Sequence, residues 1–403
     1  MKIENVSIAK VIPYVRNPRK NENAVEKVAS SIQEFGFRQP IVVDEESVII
    51  AGHTRYESAK RLGMETVPVH VAKGLTPQQV KAYRIADNRV NQDSEWDMDL
   101  LKLELEELDE PELTGFDEQE LKDILAEFEE GLVDPDVIPE MTDDPVTVTG
   151  DLWELGDHRL VCGDSTNPEN VNLALGNIKP MLMVTDPPYG VNYDPKWRGE
   201  YGFNKNRKKM GDVSNDERAD WSEAWALFEG NVCYVWHGAL HAGTVQESLL
   251  NNDFEVRQQI IWAKDRFAIS RGNYHWQHEA CWYAVKKGNS AGGLGGRSQS
   301  TLWSINSRDD AGHGHGTQKP VECMKRPIEN NSSIGQAIYD PFLGSGTTLI
   351  ASEMTGRQCI GLELSPQYCD VIVKRWSDFT GKDDLLLNGK PFRWSEREIK
   401  KVA

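Results

Sequence analysis

The chain has 403 residues with 64 acidic and 45 basic side chains, so its formal net charge is −19. No apolar run approaches the about 18 residues that a membrane-spanning helix needs, and nothing at the amino terminus resembles a secretory signal. The six cysteines are scattered without a CxxC pair, which argues against a disulfide framework and a zinc site. We therefore expect a soluble, cytoplasmic protein with two domains, a spacer and no metal.

The first 92 residues show the pattern of a small α+β module. Residues 41–43 and 48–51 are apolar and predict two paired strands joined by an acidic turn. A glycine turn at Gly52 leads into a helical segment, residues 53–63, and residues 67–71 predict a further strand.

This module resembles the N-terminal domain that ParB chromosome-partition proteins share with sulfiredoxins, including Asn17-Pro18-Arg19 at its start and Ile85-Ala86-Asp87-Asn88 at a helix end. ParB proteins carry Gly-Glu-Arg-Arg in the glycine turn that supports CTP binding. Here only Gly52 and Arg55 match, and His53 replaces the acid, which argues against CTP. Sulfiredoxin chemistry needs a cysteine in that turn, and this module has none. A scaffold, a site for a protein partner and a nucleotide-binding role remain open.

Acidic side chains are concentrated after this module. Residues 93–144 contain 22 acids and two lysines, whereas the rest of the chain has 43 basic and 42 acidic side chains. Two amphipathic helices are predicted, with apolar positions Leu101, Leu105 and Leu108 in the first and Leu121, Ile124, Leu125, Phe128 and Leu132 in the second. We interpret residues 93–146 as a solvated spacer that repels polyanions, and mimicry of a polyanion is the alternative.

The apolar residues 181–184 lead into the tetrapeptide Asp186-Pro187-Pro188-Tyr189. The exocyclic amine of adenine or cytosine is a poor nucleophile, because its lone pair is delocalised into the ring. The carboxylate of Asp186 and the Pro187 carbonyl can accept both N–H groups, while the prolines stiffen the turn. Tyr189 can stack on a base that has left the duplex. A strand that simply stops in a proline-rich turn is the alternative, so a second motif must decide.

Basic and aromatic residues alternate between residues 190 and 312, in the segments 196–198, 205–209, 262–266 and 271–276. Such mixing is typical of surfaces that contact phosphates and stack on bases. For any single residue, an ordinary basic surface with core tryptophans is the alternative. Residues 288–300 are rich in glycine and serine and predict a mobile loop. His313 and His315 have no carboxylate or cysteine neighbours, and we assign them no metal.

The second motif follows a short predicted strand, residues 337–339, and reads Asp340-Pro341-Phe342-Leu343-Gly344-Ser345-Gly346-Thr347-Thr348 before a helical segment. Strand, glycine turn and helix make a nucleotide-type loop. A triphosphate is disfavoured, because Thr347 stands where a P-loop has its lysine. An acid that opens the loop fits a ligand with an ammonium or hydroxyl groups, such as S-adenosylmethionine. The next strand ends in Glu363, a usual position for an acid that binds ribose.

Residues from about 147 to 385 resemble the amino-methyltransferases that modify adenine N6 or cytosine N4 in DNA. The resemblance rests on both motifs above and on Gly163-Asp164-Ser165, Thr317-Gln318-Lys319-Pro320, and Glu363 with Pro366 and Tyr368 after it. The catalytic motif precedes the cofactor loop, which is the order of the beta group. The whole chain is similar to phage-type fusions of a ParB-like module with a methyltransferase.

This resemblance implies an α/β fold with a Rossmann-like, mostly parallel sheet, preceded by a small α+β domain and an acidic helical spacer. We predict domains at residues 1–92, 93–146 and 147–390, with a target-recognition region at about residues 190–312. The implied catalytic residues are Asp186, Pro187, Pro188 and Tyr189.

The implied cofactor is S-adenosylmethionine. By position, Asp164 would bind its adenine amine, Glu363 its ribose, and Thr317 and Lys319 would lie near its methionine end. The residues of the loop that would contact it are Asp340, Pro341, Phe342, Gly344, Ser345, Gly346 and Thr347.

We expect the chain to methylate adenine N6 in double-stranded DNA, because an acid in the first position of the tetrapeptide favours adenine in this family. The alternatives are cytosine N4, methylation of a protein or RNA amide, and a ParB-type partition factor with a non-catalytic methyltransferase module. No cysteine follows a proline, which disfavours ring-carbon methylation through a thiolate. The sequence does not decide between a monomer and a homodimer. The resemblance also implies a relation to the methyltransferases of restriction-modification systems.

Overall fold

The computed structural model describes residues 2–17, 22–90, 96, 98–126, 131–191, 216–268, 273–292, 299–306 and 319–396. These fall into two compact units, Met1–Glu127 and Phe128–Ala403. Within the described ranges, no helix has both the length and the apolar character that crossing a bilayer requires. Several predictions for the recognition region lie outside the described residues: the basic clusters at 196–198 and 205–209, the histidines His313 and His315, and Thr317.

The first unit contains a small mixed sheet covered by helices. Its strands are β1 (Glu4–Ser7), β2 (Ile41–Val43), β3 (Ile49–Ala51) and β4 (Thr66–Val71), in the order β1-β4-β2-β3. The accompanying helices are α1 (Glu22–Phe35), α2 (His53–Arg61) and α3 (Pro77–Val90). The predicted strand pair, the helix after Gly52 and the strand at residues 67–71 are confirmed.

Two acidic helices complete the first unit: α4 (Met98–Glu106) and α5 (Glu118–Leu125). Leu101, Leu105 and Leu121 bury their side chains between them, as the amphipathic pattern predicts. The prediction that the second helix reaches Leu132 is wrong. Ala126 already has an extended ψ of 132°, so α5 ends at Leu125. Leu108 likewise lies beyond the end of α4, and Phe128 lies outside the described residues.

Strands of the second unit form one large sheet. They are β5 (Leu152–Leu155), β6 (His158–Cys162), β7 (Leu182–Thr185), β8 (Val232–His237), β9 (Phe254–Ala268), β10 (Trp276–Lys286), β11 (Leu302–Ser304), β12 (Ala337–Asp340), β13 (Gln358–Glu363), β14 (Leu385–Leu387) and β15 (Lys390–Phe392). The order is β11-β9-β10-β8-β7-β12-β13-β6-β5-β14-β15. The central strands β8, β7, β12, β13 and β6 run parallel, whereas β10 and β5 flank them antiparallel.

Helices cover both faces of this sheet. They are α6 (Pro168–Leu175), α7 (Ser222–Trp225), α8 (Ala242–Leu250), α9 (Val321–Asn331), α10 (Thr347–Met354) and α11 (Pro366–Thr380). Alternate residues of β7 belong to different cores: Leu182 and Val184 pack with α9, α10 and α11, and Met183 packs with α6, α7 and α8. The predicted α/β fold with a Rossmann-like parallel sheet is confirmed, and the antiparallel strands on its flanks were not predicted.

The strand order reverses between β7 and β12. From β12 the chain passes through α10 to its neighbour β13, whereas from β7 it passes to β8 on the opposite side. In open α/β sheets, ligands bind in the crevice at the carboxyl ends of the strands where such a reversal occurs. Thr185 and Asp340 are the last residues of β7 and β12, so the two predicted motifs meet at this crevice.

The last part of the acidic segment, residues 131–146, belongs to the second unit and is bound to its helices. Leu132 donates its backbone N–H to the Phe379 carbonyl at 2.8 Å. The Asp136 carboxylate accepts the backbone N–H of Val321 at 2.7 Å, at the start of α9. Pro320, the N-cap residue of that helix, offers no side-chain acceptor, so Asp136 supplies one.

Asp370 on α11 fixes the chain where it enters the sheet. Its carboxylate is 1% exposed and accepts the backbone N–H groups of Val146 and Thr147 at 2.8 and 3.0 Å. It also accepts the hydroxyl of Thr147 at 2.6 Å, and that hydroxyl in turn accepts the indole N–H of Trp153 at 2.9 Å. One carboxylate therefore satisfies three donors at a buried strand entrance.

We predict that Asp370→Ala lowers the free energy of unfolding of the second unit by about 3 kcal/mol or more, because each buried donor without a partner costs about 1–3 kcal/mol. Urea titration followed by tryptophan fluorescence measures this, since eleven of the twelve tryptophans lie in Phe128–Ala403. Asp378→Ala on the same helix is the control, because Asp378 makes an exposed pair with Lys374. Equal effects of the two changes would contradict the anchoring role.

Candidate active site

A buried hydrogen bond joins the two motifs. The Thr185 hydroxyl donates to Asp340 Oδ1 at 2.6 Å, although the residues are 155 positions apart in the chain. The backbone N–H of Phe342 donates to the same oxygen at 3.0 Å. Because β7 pairs with β12, Asp186 and the glycine loop leave neighbouring strands at the same edge. The structure therefore brings together the tetrapeptide and the loop that the sequence singled out separately.

Asp186 lies in a cluster of charged side chains. Lys319 Nζ contacts Asp186 Oδ2 at 2.7 Å, the Tyr189 hydroxyl oxygen at 2.6 Å and Glu279 Oε2 at 2.9 Å. The Tyr189 hydroxyl donates to Asp186 Oδ1 at 2.7 Å and lies 3.2 Å from Glu279 Oε2. The other Glu279 oxygen binds Lys264 Nζ. Two carboxylates, two ammonium groups and one phenol thus form a continuous network.

Burial and charge act against each other in this network. The Lys319 side chain is 2% exposed and that of Asp186 is 27% exposed. Burial raises the pKa of Asp186, while the ammonium of Lys319 opposes this rise. Burial also favours a higher pKa for Glu279, but Lys319 and Lys264 outweigh it and hold that pKa at about 2. The two carboxylates raise the pKa of Lys319, so it is charged despite its burial.

The glycine loop presents a second pair of acids. Glu363 accepts the backbone N–H groups of Gly344 and Ser365 at 2.9 and 2.8 Å. Burial raises the pKa of Glu363 to about 7 and that of Asp340 to about 6. Hydrogen-bond donors are the main groups that lower either pKa, and neither acid forms an ion pair with a cationic side chain within the described ranges. These two acceptors fit a ligand that brings hydroxyls and a positive charge.

Glycine is required at two positions of this loop by the backbone itself. Gly344 and Gly346 have φ values of 54° and 86°, in the left-handed region that other residues avoid. Gly346 is the N-cap of α10, and a Cβ there would come within 3.1 Å of Ile372. The loop can therefore approach a ligand closely with its backbone.

Other predicted cofactor residues lie at the edge of this loop. Gly163 donates its backbone N–H to the Glu363 carbonyl at 2.9 Å, which places Asp164 beside the end of β13. Asp164 is exposed, and its Oδ1 accepts the backbone N–H and the hydroxyl of Thr166, each at 2.8 Å. Lys319 was expected near the methionine end of a cofactor, and its ammonium contacts Asp186 and Glu279.

Arg375 supports the loop from α11, and no sequence motif identified it. Its guanidinium donates to the Ser345 carbonyl at 2.9 Å and to the Pro135 carbonyl at 2.7 Å. Burial lowers the pKa of Arg375 to about 10. A buried arginine in an otherwise apolar helix face is the only signal that the sequence offers for this role.

Side chains of the predicted recognition region have two different surroundings. Trp262 is buried and donates its indole N–H to the Ile305 carbonyl at 2.8 Å, so it belongs to the core. Tyr274 and Trp276, near the ends of β9 and β10, are exposed. Glu279 on β10 was missed, because no motif marks it, and its only signal is a charge within an apolar strand pattern. Lys264 on β9 belongs to the predicted basic and aromatic segment 262–266, but its pairing with Glu279 was not predicted.

The tetrapeptide turn is braced from the same region. The Trp221 indole N–H donates to the Pro188 carbonyl at 3.1 Å. The Trp221 ring also contacts Phe342 of the glycine loop, with centroids 4.6 Å apart, and the Arg218 guanidinium lies over the Trp221 ring, 3.9 Å from its centroid. Trp221 therefore contacts both motifs.

In the first unit, the side chains that follow the glycine turn bond to backbone groups of the same module. Gly52 has a φ of 103° and precedes α2. The Arg55 guanidinium donates to the carbonyls of Gln39 and Pro40 at 3.0 and 3.2 Å. His53 Nε2 accepts the backbone N–H of Tyr14 at 3.2 Å. No group of three metal-binding side chains is found in the parts of the chain that the structure describes.

Two family descriptions match the chain. The family described as DNA methylase matches residues 181–374, and the ParB N-terminal domain matches residues 1–88. Type II methyltransferase M.Cfr9I of Citrobacter freundii is 35% identical over 145 residues, which are 32% of this chain and 46% of that protein. The ParB-like nuclease domain-containing protein YnaK of Escherichia coli is 39% identical over 80 residues, 20% of this chain and 92% of that protein.

Solved structures also align with the chain. The crystal structure titled as the M1.HpyAVI-SAM complex aligns with a TM-score of 0.39 and 23% identity, covering 54% of this chain and 98% of that one. The chain spans less than half the length of M.Cfr9I and nearly all of YnaK.

We predict that Asp340→Asn stabilises the second unit at pH 8 by about 1–3 kcal/mol, because one pKa unit corresponds to about 1.4 kcal/mol and the buried carboxylate is costly to ionise. Its folded pKa of about 6 lies above the ordinary value. The free-energy cost of ionising Asp340 in the folded protein is therefore absent below about pH 4. It grows as the pH rises and reaches its full value above the folded pKa. Urea titrations of both proteins from pH 4 to 8 measure the difference. A variant that is less stable than the parent at pH 8 would overturn this assignment.

Proposed function

The chain joins a domain of the ParB N-terminal family to a domain of the DNA methylase family, and on that premise we propose that it methylates an exocyclic amine of a base in double-stranded DNA. The observation that carries the proposal is the meeting of Asp186 and Asp340 at the carboxyl ends of neighbouring strands. We favour adenine N6, because an acid stands first in the tetrapeptide. Cytosine N4 is the alternative, since the same carboxylate can bind either amine.

The proposed methyl donor is S-adenosylmethionine, which supplies an electrophilic methyl group on a sulfonium. Glu363 retains lone pairs beyond those that accept Gly344 and Ser365, and these can accept the ribose hydroxyls. Asp340 offers a buried negative charge beside the loop, and a ligand cation favours its ionised form. Arg375 holds the Ser345 carbonyl, so the loop keeps its shape between binding events.

Asp186 is the proposed acceptor for the target amine. Its carboxylate can take an N–H of the amine and direct the nitrogen lone pair out of the ring plane. Lys319 contacts Oδ2 and favours the ionised form, so Oδ1 is the oxygen that can turn to the amine. Tyr189 is the proposed stacking partner of the base, which must leave the duplex before the amine is accessible. Positioning and electrostatics supply the rate, and no covalent intermediate is needed.

The test of the function is incubation of the full chain with labelled S-adenosylmethionine and plasmid DNA, followed by digestion to nucleosides. Label in N6-methyladenine supports the proposal, and label in N4-methylcytosine supports the alternative. No label in DNA, with intact cofactor binding, would favour a non-catalytic methyltransferase module.

We predict that Asp186→Ala lowers methyl transfer by about 1000-fold or more, because the amine loses its acceptor. Calorimetric affinity for S-adenosylmethionine should change less than about threefold, since Asp186 faces the base. Asp378→Ala, an exposed site on α11, is the control and should keep full activity. Loss of cofactor binding in Asp186→Ala would show that Asp186 belongs to the donor site instead.

We predict that Glu363→Ala weakens S-adenosylmethionine binding by about 1.5–3 kcal/mol, the range for hydrogen bonds to a charged group. Isothermal calorimetry at pH 8 measures the dissociation constant. The change also deprives the N–H groups of Gly344 and Ser365, which use different oxygens of Glu363, of their acceptors. Glu363→Gln, which keeps one acceptor oxygen and loses the charge, is therefore measured beside it. Unchanged affinity in both variants would contradict the ribose role.

A further inference from the structure

The cluster around Asp186 has no net charge when its two carboxyl and two amino groups are ionised and the phenol of Tyr189 is neutral. Asp186 and Glu279 are negative, and Lys319 and Lys264 are positive. They come from four places in the fold: the turn after β7, strand β10, the segment just before the N-cap of α9, and strand β9. Balanced charge lets all four stay ionised in partly buried surroundings, where any one of them alone would be costly.

Lys319 is shared between two carboxylates. Its ammonium lies 2.7 Å from Asp186 Oδ2 and 2.9 Å from Glu279 Oε2. An ammonium bound to Asp186 alone, in surroundings of low dielectric, would hold that carboxylate tightly and weaken it as an acceptor. A second acid that draws on the same ammonium reduces this effect.

We propose that Glu279, together with Lys264, is a positioning pair that divides the charge of Lys319. Lys319 keeps Asp186 ionised, and Glu279 leaves that carboxylate able to accept a hydrogen bond from the target amine. The proposal rests on the methyl-transfer role of Asp186 above. Glu279 and Lys264 touch neither base nor methyl donor in this scheme, and they act through Lys319.

Glu279 can also serve as a second acceptor for the Tyr189 hydroxyl. That hydroxyl donates to Asp186 Oδ1 at 2.7 Å, the oxygen that the amine would need, and lies 3.2 Å from Glu279 Oε2. When the amine takes Asp186 Oδ1, the hydroxyl turns its donor to Glu279. No buried donor is then left without an acceptor, so the exchange costs little.

The test is the pH dependence of methyl transfer under single-turnover conditions. In Glu279→Gln the acidic limb of the pH–rate profile should move to lower pH by about one unit. Asp186 loses a negative neighbour, and the ammonium of Lys319 then pairs with Asp186 alone. The plateau rate should fall about tenfold or more, since the carboxylate is a weaker acceptor. In Lys319→Met the limb should move the opposite way, to higher pH.

Lys319→Met can fail to fold, because it leaves a buried acid with one partner fewer. Lys264→Gln is therefore measured as well. Without Lys264, Glu279 draws more on Lys319, and the acidic limb should again move to higher pH. Glu329→Gln, an exposed member of an i,i+4 pair on α9, is the control and should leave the profile unchanged.

A readout without catalysis separates this proposal from the proposed function. In protein labelled with ¹³C at the aspartate carboxyl carbons, the Asp186 signal is the one that disappears in Asp186→Asn. Its titration midpoint should shift down in Glu279→Gln and up in Lys264→Gln. Shifts in the same direction, or none, overturn the charge division. Opposite shifts in a protein that does not methylate DNA would uphold it and refute the proposed function.

Discussion

Pairing of β7 with β12 is the constraint on which the rest of the second unit depends. It places two acids that are far apart in the sequence, Asp186 and Asp340, at one edge of the sheet, and the hydrogen bond from Thr185 to Asp340 fixes them in register. The proposed methyl transfer depends on the closeness of these two acids at that edge. The glycine loop can hold a cationic donor there, and the proline turn can hold an acceptor, because the strands beneath them are neighbours.

The parts of the site that carry motifs could be predicted from the sequence. Asp186, Asp340 and Glu363 each end an apolar strand pattern, and such endings predict a polar edge on a parallel sheet. The sequence could not predict that Lys319 contacts Asp186, because that contact depends on how α9 packs against the sheet. The pairing of Glu279 with Lys264 could not be predicted for a related reason. Their role comes from the antiparallel strands β9 and β10, whose place beside β8 no local pattern reveals.

The helical patterns of the acidic segment show the limits of periodicity. Leu121 and Leu125 keep their expected places in and beside a small core, yet the apolar spacing continues past the end of α5. Leu132 satisfies the same spacing but bonds through its backbone to Phe379. Periodicity records which residues are apolar, and tertiary contacts decide which element each one joins.

The segment before β5 also determines where an autonomous fragment of the second unit can begin. Pro135 accepts Arg375, which holds the glycine loop, and Asp136 completes the start of the helix that follows Lys319. A fragment that starts at residue 147 would lack both supports, one behind the donor loop and one behind the lysine of the acceptor cluster. Removing a stretch that looks like a tether would therefore remove contacts behind both motifs, so an intact fragment of the second unit must retain residues well upstream of its first strand.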